Sequence, residues 1–234
     1  TLDGWMSACK ISVVVPVFEE AYTINPTIDH LINLPFSGRL EIIVVDAGPF
    51  PATLAAIRRT DVIQIVAPRG RGPQMNRGAA AAAGGVLLFL HADTRLPPTG
   101  LQSVAAALRN RRIVGGAFRL AIASPNLLFR LIETTANLRT RLTRIPYGDQ
   151  ALFFERRFFE RIGGFSEIPI MEDVELMRRV KRGGHRIRIL PGRVQTSPRR
   201  WQREGIVSGT LRNWLLVTRF LLGTPPHRLA RHYP

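Results

Sequence analysis

Cysteine is nearly absent: Cys9 stands alone among 234 residues. That excludes an internal disulfide and any zinc site built from paired Cys/His spacings, and makes a reducing, cytoplasmic setting the expectation. Lysine is almost as scarce, with Lys10 and Lys181 the only two among 33 basic residues, the rest being arginine. Acidic residues number just 17, so the formal net charge is +16. Long apolar runs are missing too. None reaches the roughly 20 uninterrupted residues of a membrane span, and Asp3, Ser7 and Lys10 interrupt the apolar core that a secretory signal would need. The 17 prolines are scattered, no repeat recurs, and only 21% of residues are charged, which argues against a disordered tail.

What is present suffices for one sizeable core, since 45% of the chain is hydrophobic. The expectation is a single domain over residues 1–234. Arginine in excess suits bidentate grip on phosphate, so a nucleotide diphosphate, an anionic lipid surface and nucleic acid are the partner classes to weigh. Arginine-rich codon usage accounts for the excess equally well. Against nucleic acid stands the dispersal of the arginines, which neither cluster with aromatics nor follow a known reading motif.

Short β-branched runs at 11–15, 40–46, 62–67 and 86–91 read as buried parallel strands. Helical stretches at 23–34, 51–60 and 73–83 separate them. This alternation predicts an α/β fold of Rossmann-like type, a mostly parallel sheet flanked by helices, in which ligands bind at the carboxyl ends of the strands. Beyond it, 113–120 and 151–155 read as strands and 171–182 as a helix. Leu127, Leu131, Thr135, Leu138 and Leu142 share one helical face, and Val207, Leu211, Trp214, Leu215 and Leu221 share another. These two amphipathic helices, the second lying in a C-terminal helical tail at 201–234, predict either peripheral association with an anionic membrane surface or burial in the core or a homodimer interface.

Acidic residues recur where strands end: Glu19 and Glu20, Asp46, Asp93, and later Glu172 with Asp173. Singly, each reads most simply as a helix cap or turn former. In order, however, VVVPVFEE (13–20), EIIVVDAG (41–48), GRGPQMNRGAAAAAGGVLLFLHAD (70–93), GGAFRL (115–120), GDQALFF (148–154) and MEDVELMRR (171–179) resemble the family-two inverting glycosyltransferases. The segment TSPRRWQREG (196–205) and the HAD triplet at 91–93 are similar to a bacterial subgroup associated with arsenosugar biosynthesis.

The resemblance implies a GT-A type fold, with residues 10–120 binding a nucleotide-diphospho-sugar donor and 121–200 forming the acceptor and catalytic half. It does not specify the acceptor. It implies a divalent cation, manganese or magnesium, on the donor diphosphate, because carboxylate oxygen suits such ions and charge grows on the leaving group. Asp93 matches the last acid of the family's Asp-x-Asp motif; His91 stands where the first would be. His91 then ligates the metal or, the plainer reading, hydrogen-bonds ribose or backbone.

Pro16, Phe18 and Glu20 match the loop around the nucleoside, and Asp46 matches one acid of its pocket. Ala47 and Pro49 replace the expected acid and serine. Arg71 matches a basic position of the family, and with Asn76 following on a helix it lies near the expected diphosphate, where glycine-rich backbone allows close approach; an ordinary helix-entry turn is the other reading.

Asp173 matches the family's general base, with Glu172 beside it, and both also suit the first turn of a helix. Asp149 matches a position near the acceptor, and Gln150 follows it as a group to orient the same hydroxyl. Arg199, Arg200 and Trp201 are similar to the arginine-tryptophan motif of processive synthases, as a diphosphate clamp or as a solvated basic patch with a packing tryptophan. Two other functions fit a nucleotide-binding sheet: a sugar-phosphate nucleotidyltransferase, and a nucleotide-sugar-binding protein impaired in catalysis. The first would carry a glycine- and arginine-rich loop after the first strand, where this chain has Pro16-Val-Phe-Glu-Glu. The second is motivated by His91 and Ala47.

Overall fold

A computed structural model of the chain describes residues 9–48 and 51–233. Its framework is an eight-stranded sheet of β1 (Lys10–Val17), β2 (Arg39–Asp46), β3 (Ile63–Val66), β4 (Val86–Phe89), β5 (Thr94–Arg95), β6 (Ile113–Ile122), β7 (Phe153–Glu155) and β8 (Arg186–Thr196). In space the order is β3-β2-β1-β4-β7-β6-β8-β5. The first four neighbours run parallel, as does β6 with β8, whereas β7 is antiparallel to both its neighbours and β5 is antiparallel to β8.

Helices cover both faces: α1 (Ile24–Ile32), α2 (Ala52–Ala55), α3 (Arg71–Ala81), α4 (Gly100–Leu108), α5 (Leu127–Thr143), α6 (Arg156–Arg161), α7 (Glu172–Arg182), α8 (Arg199–Glu204), α9 (Ile206–Leu221) and α10 (Pro226–Ala230). The helix expected at 51–60 is thus a single turn, and the strand expected at 86–91 stops at Phe89, which puts His91 and Asp93 in the loop beyond it. The long strand β8 and the helix α4 have no counterpart in the sequence reading. β8 carries Arg186, Arg188 and Arg193 between its apolar residues, which hides its pattern.

Every residue of the β1 run 11–15 is fully buried because both faces of the sheet are covered. Val13 and Val15 pack into one core with Ile28 and Leu31 of α1 and Leu101 and Val104 of α4. Val14 points into the other, with Met75 and Ala79 of α3 and Leu176 and Met177 of α7. Close approach of α3 depends on Gly78, where a Cβ would collide with Val14. From the same helix Gln74 donates to the carbonyls of Val17 and Val45, at 2.8 Å each, tying together the ends of β1 and β2. A small third cluster of Ile170, Leu216 and Leu229 fastens α9 and α10 to the loop before α7.

Candidate active site

The loops after β1 and β4, the start of α3, the 148–150 turn, the start of α7 and the C-terminal helices enclose a cavity of about 520 Å³. It lies at the carboxyl ends of the central strands, the position where parallel sheets of this kind bind ligands. Pro16, Phe18, Glu20, Arg71, His91, Asp93, Asp149, Glu172, Asp173, Arg200 and Trp201 all face it. Residues as far apart in sequence as Pro16 and Trp201 thereby share one space.

Part of the cavity is lined by the loops that follow β1 and β4. Arg199 holds its guanidinium 3.2 Å from Glu20 and 3.7 Å from Asp93, at the rim. Burial raises the Asp93 pKa above its ordinary value, and the negative charge of Glu20 adds to that, while Arg199 opposes it. His91 is pushed down to about 3, first by burial and then by the positive charges of Arg71 and Arg200, so its imidazole is neutral at physiological pH. Arg69 lies over the Phe18 ring with 4.5 Å to the centroid, a cation–π contact that supports the loop after β1.

Three carboxyls line the same cavity. Asp173 accepts the Gly148 N–H at 2.6 Å through Oδ2 and the Val174 N–H at 2.7 Å through Oδ1. Gly148 sits close to both walls: a Cβ there would lie 3.3 Å from Asp173 Oδ2 and 3.5 Å from His91 Nε2. Glu172, only 5% exposed, has its pKa raised by burial and further by the charge of Asp173. Asp149 is raised to about 6, burial outweighing the opposing charge of Arg139, with Asp173 adding to the rise. Met171, immediately before this pair of acids, has φ 69°, and Ala151 and Glu19 beside the other loops have φ 50° and 57°. Backbone held in the left-handed region by non-glycine residues marks loops whose shape the surroundings impose.

Arg71 and Arg200 line the cavity as well. Burial opposes the charge of Arg71, but Tyr233, Glu172, Asp173 and Asp93 together raise its pKa. Arg200 donates to the Tyr233 hydroxyl at 2.6 Å and to Asn213 at 3.3 Å, and its Nε reaches Glu204 at 3.3 Å. Trp201 packs edge-on against Phe129, 5.8 Å between centroids, and so fixes α8 against α5.

Asp46, Asn76 and Gln150 lie outside the cavity wall, each for a visible reason. Asp46 is 1% exposed at the end of β2, where Oδ1 accepts the Gly48 N–H at 2.8 Å; among the described residues Oδ2 has no partner. Pro49 lies outside the described residues. Asn76 clips the Phe165 backbone, donating to its carbonyl at 2.8 Å and accepting its N–H at 2.9 Å. Gln150 is fully buried behind the wall, spent on Thr140, the Tyr147 N–H and the Phe118 carbonyl. The sequence reading missed Tyr147, Asn213 and Tyr233, which line the cavity. No motif surrounds them; only the packing of the C-terminal helices brings the last two there.

Residues 12–166, running from β1 through the Gly148-Asp149 turn, match glycosyl transferase family 2. The chain belongs to that family. The family match ends before Glu172 and Asp173, so those acids rest on the geometry of the cavity. The chain is 27% identical over 224 residues to the probable glycosyltransferase YdaM of Bacillus subtilis (strain 168), covering 82% of this chain. It spans about half, 52%, of that relative's length.

Among solved structures, the mannosyltransferase PcManGT from Pyrobaculum calidifontis, in complex with GDP-Man and Mn2+, superposes with a TM-score of 0.59 at 20% identity. That match covers 81% of this chain and 57% of the other. TarS 1–349 of S. aureus, in complex with UDP-GlcNAc, gives 0.61 at 18% identity over 80% of this chain and 58% of its own. At these identities the likeness is one of fold, and it makes this family 2 chain a GT-A type α/β fold.

Proposed function

We propose that the chain transfers a sugar, with inversion, from a nucleotide-diphospho-sugar to an acceptor, within a single domain whose donor half is 10–120 and whose acceptor half is 121–200. The observation that carries this reading is the meeting of opposite charges in one cavity: Arg71 and Arg200 line it together with Glu20, Asp93, Asp149, Glu172 and Asp173. The guanidinium groups suit a diphosphate, and Asp173 suits the acceptor. PcManGT is bound to a guanosine donor and TarS to a uridine donor. Phe18 and Glu20 are the groups near which the base would lie here, and they favour neither.

In the proposed step the acceptor hydroxyl oxygen attacks the anomeric carbon as its proton passes to Asp173. The bond from that carbon to the diphosphate oxygen breaks, and the nucleoside diphosphate leaves with the electron pair. Attack from the face opposite the leaving group inverts the centre. The Gly148 and Val174 N–H groups hold the Asp173 carboxylate in place during this transfer.

The protein residues fit a divalent cation held mainly by substrate. Among the described residues no group of three or more His, Cys, Asp or Glu side chains is placed to hold a metal ion by itself. Asp93 would hold the ion, with the diphosphate and water completing its shell, as hard cations with few protein ligands require. Manganese or magnesium bound there would neutralise charge on the leaving diphosphate. The neutral imidazole of His91 is a second available donor, or a partner for ribose.

Arg199 and Arg200 would clamp the diphosphate, with Trp201 bracing their helix. The HAD triplet and segment 196–205 extend the proposal to the arsenosugar-associated subgroup. Among the described residues no helix is long and apolar enough to cross a membrane. The exposed apolar faces of α5 and α9, beside many arginines, support a cytoplasmic protein that rests peripherally on an anionic bilayer, with a homodimer as the alternative cover.

A thermal-shift screen of nucleoside diphosphates with manganese or magnesium tests the reading. At a hundred times its dissociation constant a ligand adds about 2.7 kcal/mol, which for a chain of this size raises Tm by about 5–10 °C. Stabilisation by no nucleoside diphosphate overturns it.

A further inference from the structure

Beside the donor cavity lies a second hollow, an apolar groove of about 560 Å³ between α5 and α9. Ile132 and Ala136 form one wall; Trp214 and Leu221 form the other. Its flanks are open to water: Leu142 is 73% and Trp214 56% exposed, with Leu138, Leu215 and Leu221 similarly bare. Apolar surface gathered in this way on one face marks an interaction site.

The groove does not end blindly. Tyr147, Val174 and Val217 line both it and the donor cavity. Val174 directly follows Asp173, which lines the cavity but not the groove, so the two spaces meet one residue along α7 from the carboxylate that the proposed reaction uses. At this junction Arg139 stacks on the Tyr147 ring, 3.2 Å from guanidinium carbon to centroid, and its buried Nε has no hydrogen-bond partner among the described residues. A trough of hydrocarbon thus leads to a cationic end and then to the reacting centre.

We infer that this groove holds the hydrocarbon chain of an amphiphilic acceptor, with its oxygen-rich head beside Arg139 and Asp173. The inference rests on the glycosyl-transfer reading and names its acceptor class. A tail fits where a second copy of the chain does not. Two bodies of net charge +16 repel, whereas an anionic or oxygen-rich head meets Arg139. A helix laid across the groove would cover its flanks, yet leave unexplained why the trough runs into the cavity at Val174.

The test is calorimetric titration of the full chain with n-butyl phosphate and with n-decyl phosphate below its micelle concentration. The head is constant, so the charge of the protein acts equally on both. Each buried CH2 tightens binding by about fourfold at full burial; over six added groups, partly buried, decyl phosphate should bind at least about a hundredfold more tightly. Ala136→Phe and Thr218→Phe fill the groove from opposite walls, and Thr218 is exposed enough to change without disturbing the core. Each should weaken decyl phosphate about tenfold or more and leave butyl phosphate and nucleoside diphosphate binding as in the parent.

Equal affinity for the two phosphates overturns the inference, as does decyl phosphate binding that both variants leave intact. So does sedimentation equilibrium in which the parent is a dimer and both variants are monomers. Nucleoside diphosphate binding without chain-length dependence removes the groove assignment alone. Chain-length dependence without nucleoside diphosphate binding keeps the groove as a lipid site and removes the transfer reading.

Discussion

Replacing Asp173 by asparagine separates chemistry from architecture. In the parent, Oδ2 and Oδ1 each accept a backbone N–H, from Gly148 and Val174. Asparagine offers one acceptor oxygen, so one of those N–H groups meets an NH2 instead, at a cost of about 1–3 kcal/mol. Loss of negative charge at the start of α7 adds about 0.3–1 kcal/mol. Relief of the repulsion that Asp173 exerts on Glu172 and Asp149 offsets part of this. A net loss of about 1–3 kcal/mol corresponds to a fall of about 3–10 °C in Tm for a chain of this size.

Turnover should fall much further, by roughly 10²–10⁴-fold, since the amide cannot accept the acceptor's proton. Nucleoside diphosphate affinity should persist. The assay pairs Tm, with and without nucleoside diphosphate, with release of nucleoside diphosphate from donor sugar, by transfer or by hydrolysis. Normal turnover in a destabilised variant refutes the assignment. So does a pH–rate profile whose acid limb lies near 6 and vanishes in Asp149→Asn, because Asp149 is the carboxyl raised to about 6, and the base would then be Asp149.

Four further outcomes are expected. His91 is held near 3 against an ordinary 6.5, so the stability of its neutral form is complete above pH 6.5 and lost as pH falls toward 3. At pH 4.5 the loss is at most about 2–3 kcal/mol, and His91→Gln should lose correspondingly less than the parent between pH 6.5 and 4.5 in denaturant unfolding. Asp149, with its raised pKa, has the opposite slope, which is why the two proteins are compared at matched pH. Calorimetry should find nucleoside diphosphate binding tightened by manganese in the parent and indifferent to a chelator in Asp93→Asn; equal affinity of the parent in both conditions removes the metal role. Asn76→Ala unpairs two backbone groups of Phe165 and should cost about 1–3 kcal/mol, with nucleoside diphosphate affinity unchanged. Flotation with anionic vesicles should occur at low salt and fade as salt screens the arginines, and its absence at low salt excludes peripheral membrane binding.

The centre of the sheet was legible in the sequence because β1, β2 and β4 are buried on both faces, and runs such as 11–15 and 42–45 then contain little but β-branched and aliphatic residues, whereas β3, read as buried too, lies at the edge with Ile63 and Val66 exposed. The acids and arginines at the ends of those runs could be placed at one edge by strand direction alone. β8 was not legible, since a strand with arginines at alternate positions has no apolar run. Nor was the brevity of α2, where helical composition at 51–60 yields to a single turn.

For the site, residue chemistry nominated Asp93, Asp149 and Asp173, but it could not distinguish a lining residue from one behind the wall. Asn76 and Gln150 read as ligands until the structure committed their amides to Phe165, Thr140 and Phe118. Tyr233 shows the converse: a residue without a motif, carried to the cavity when Leu216 and Leu229 bury themselves against Ile170. Strand pattern is local and survives in the order of residues. Which side chain faces a cavity depends on the packing of elements far apart in the chain, and only the tertiary structure decides it.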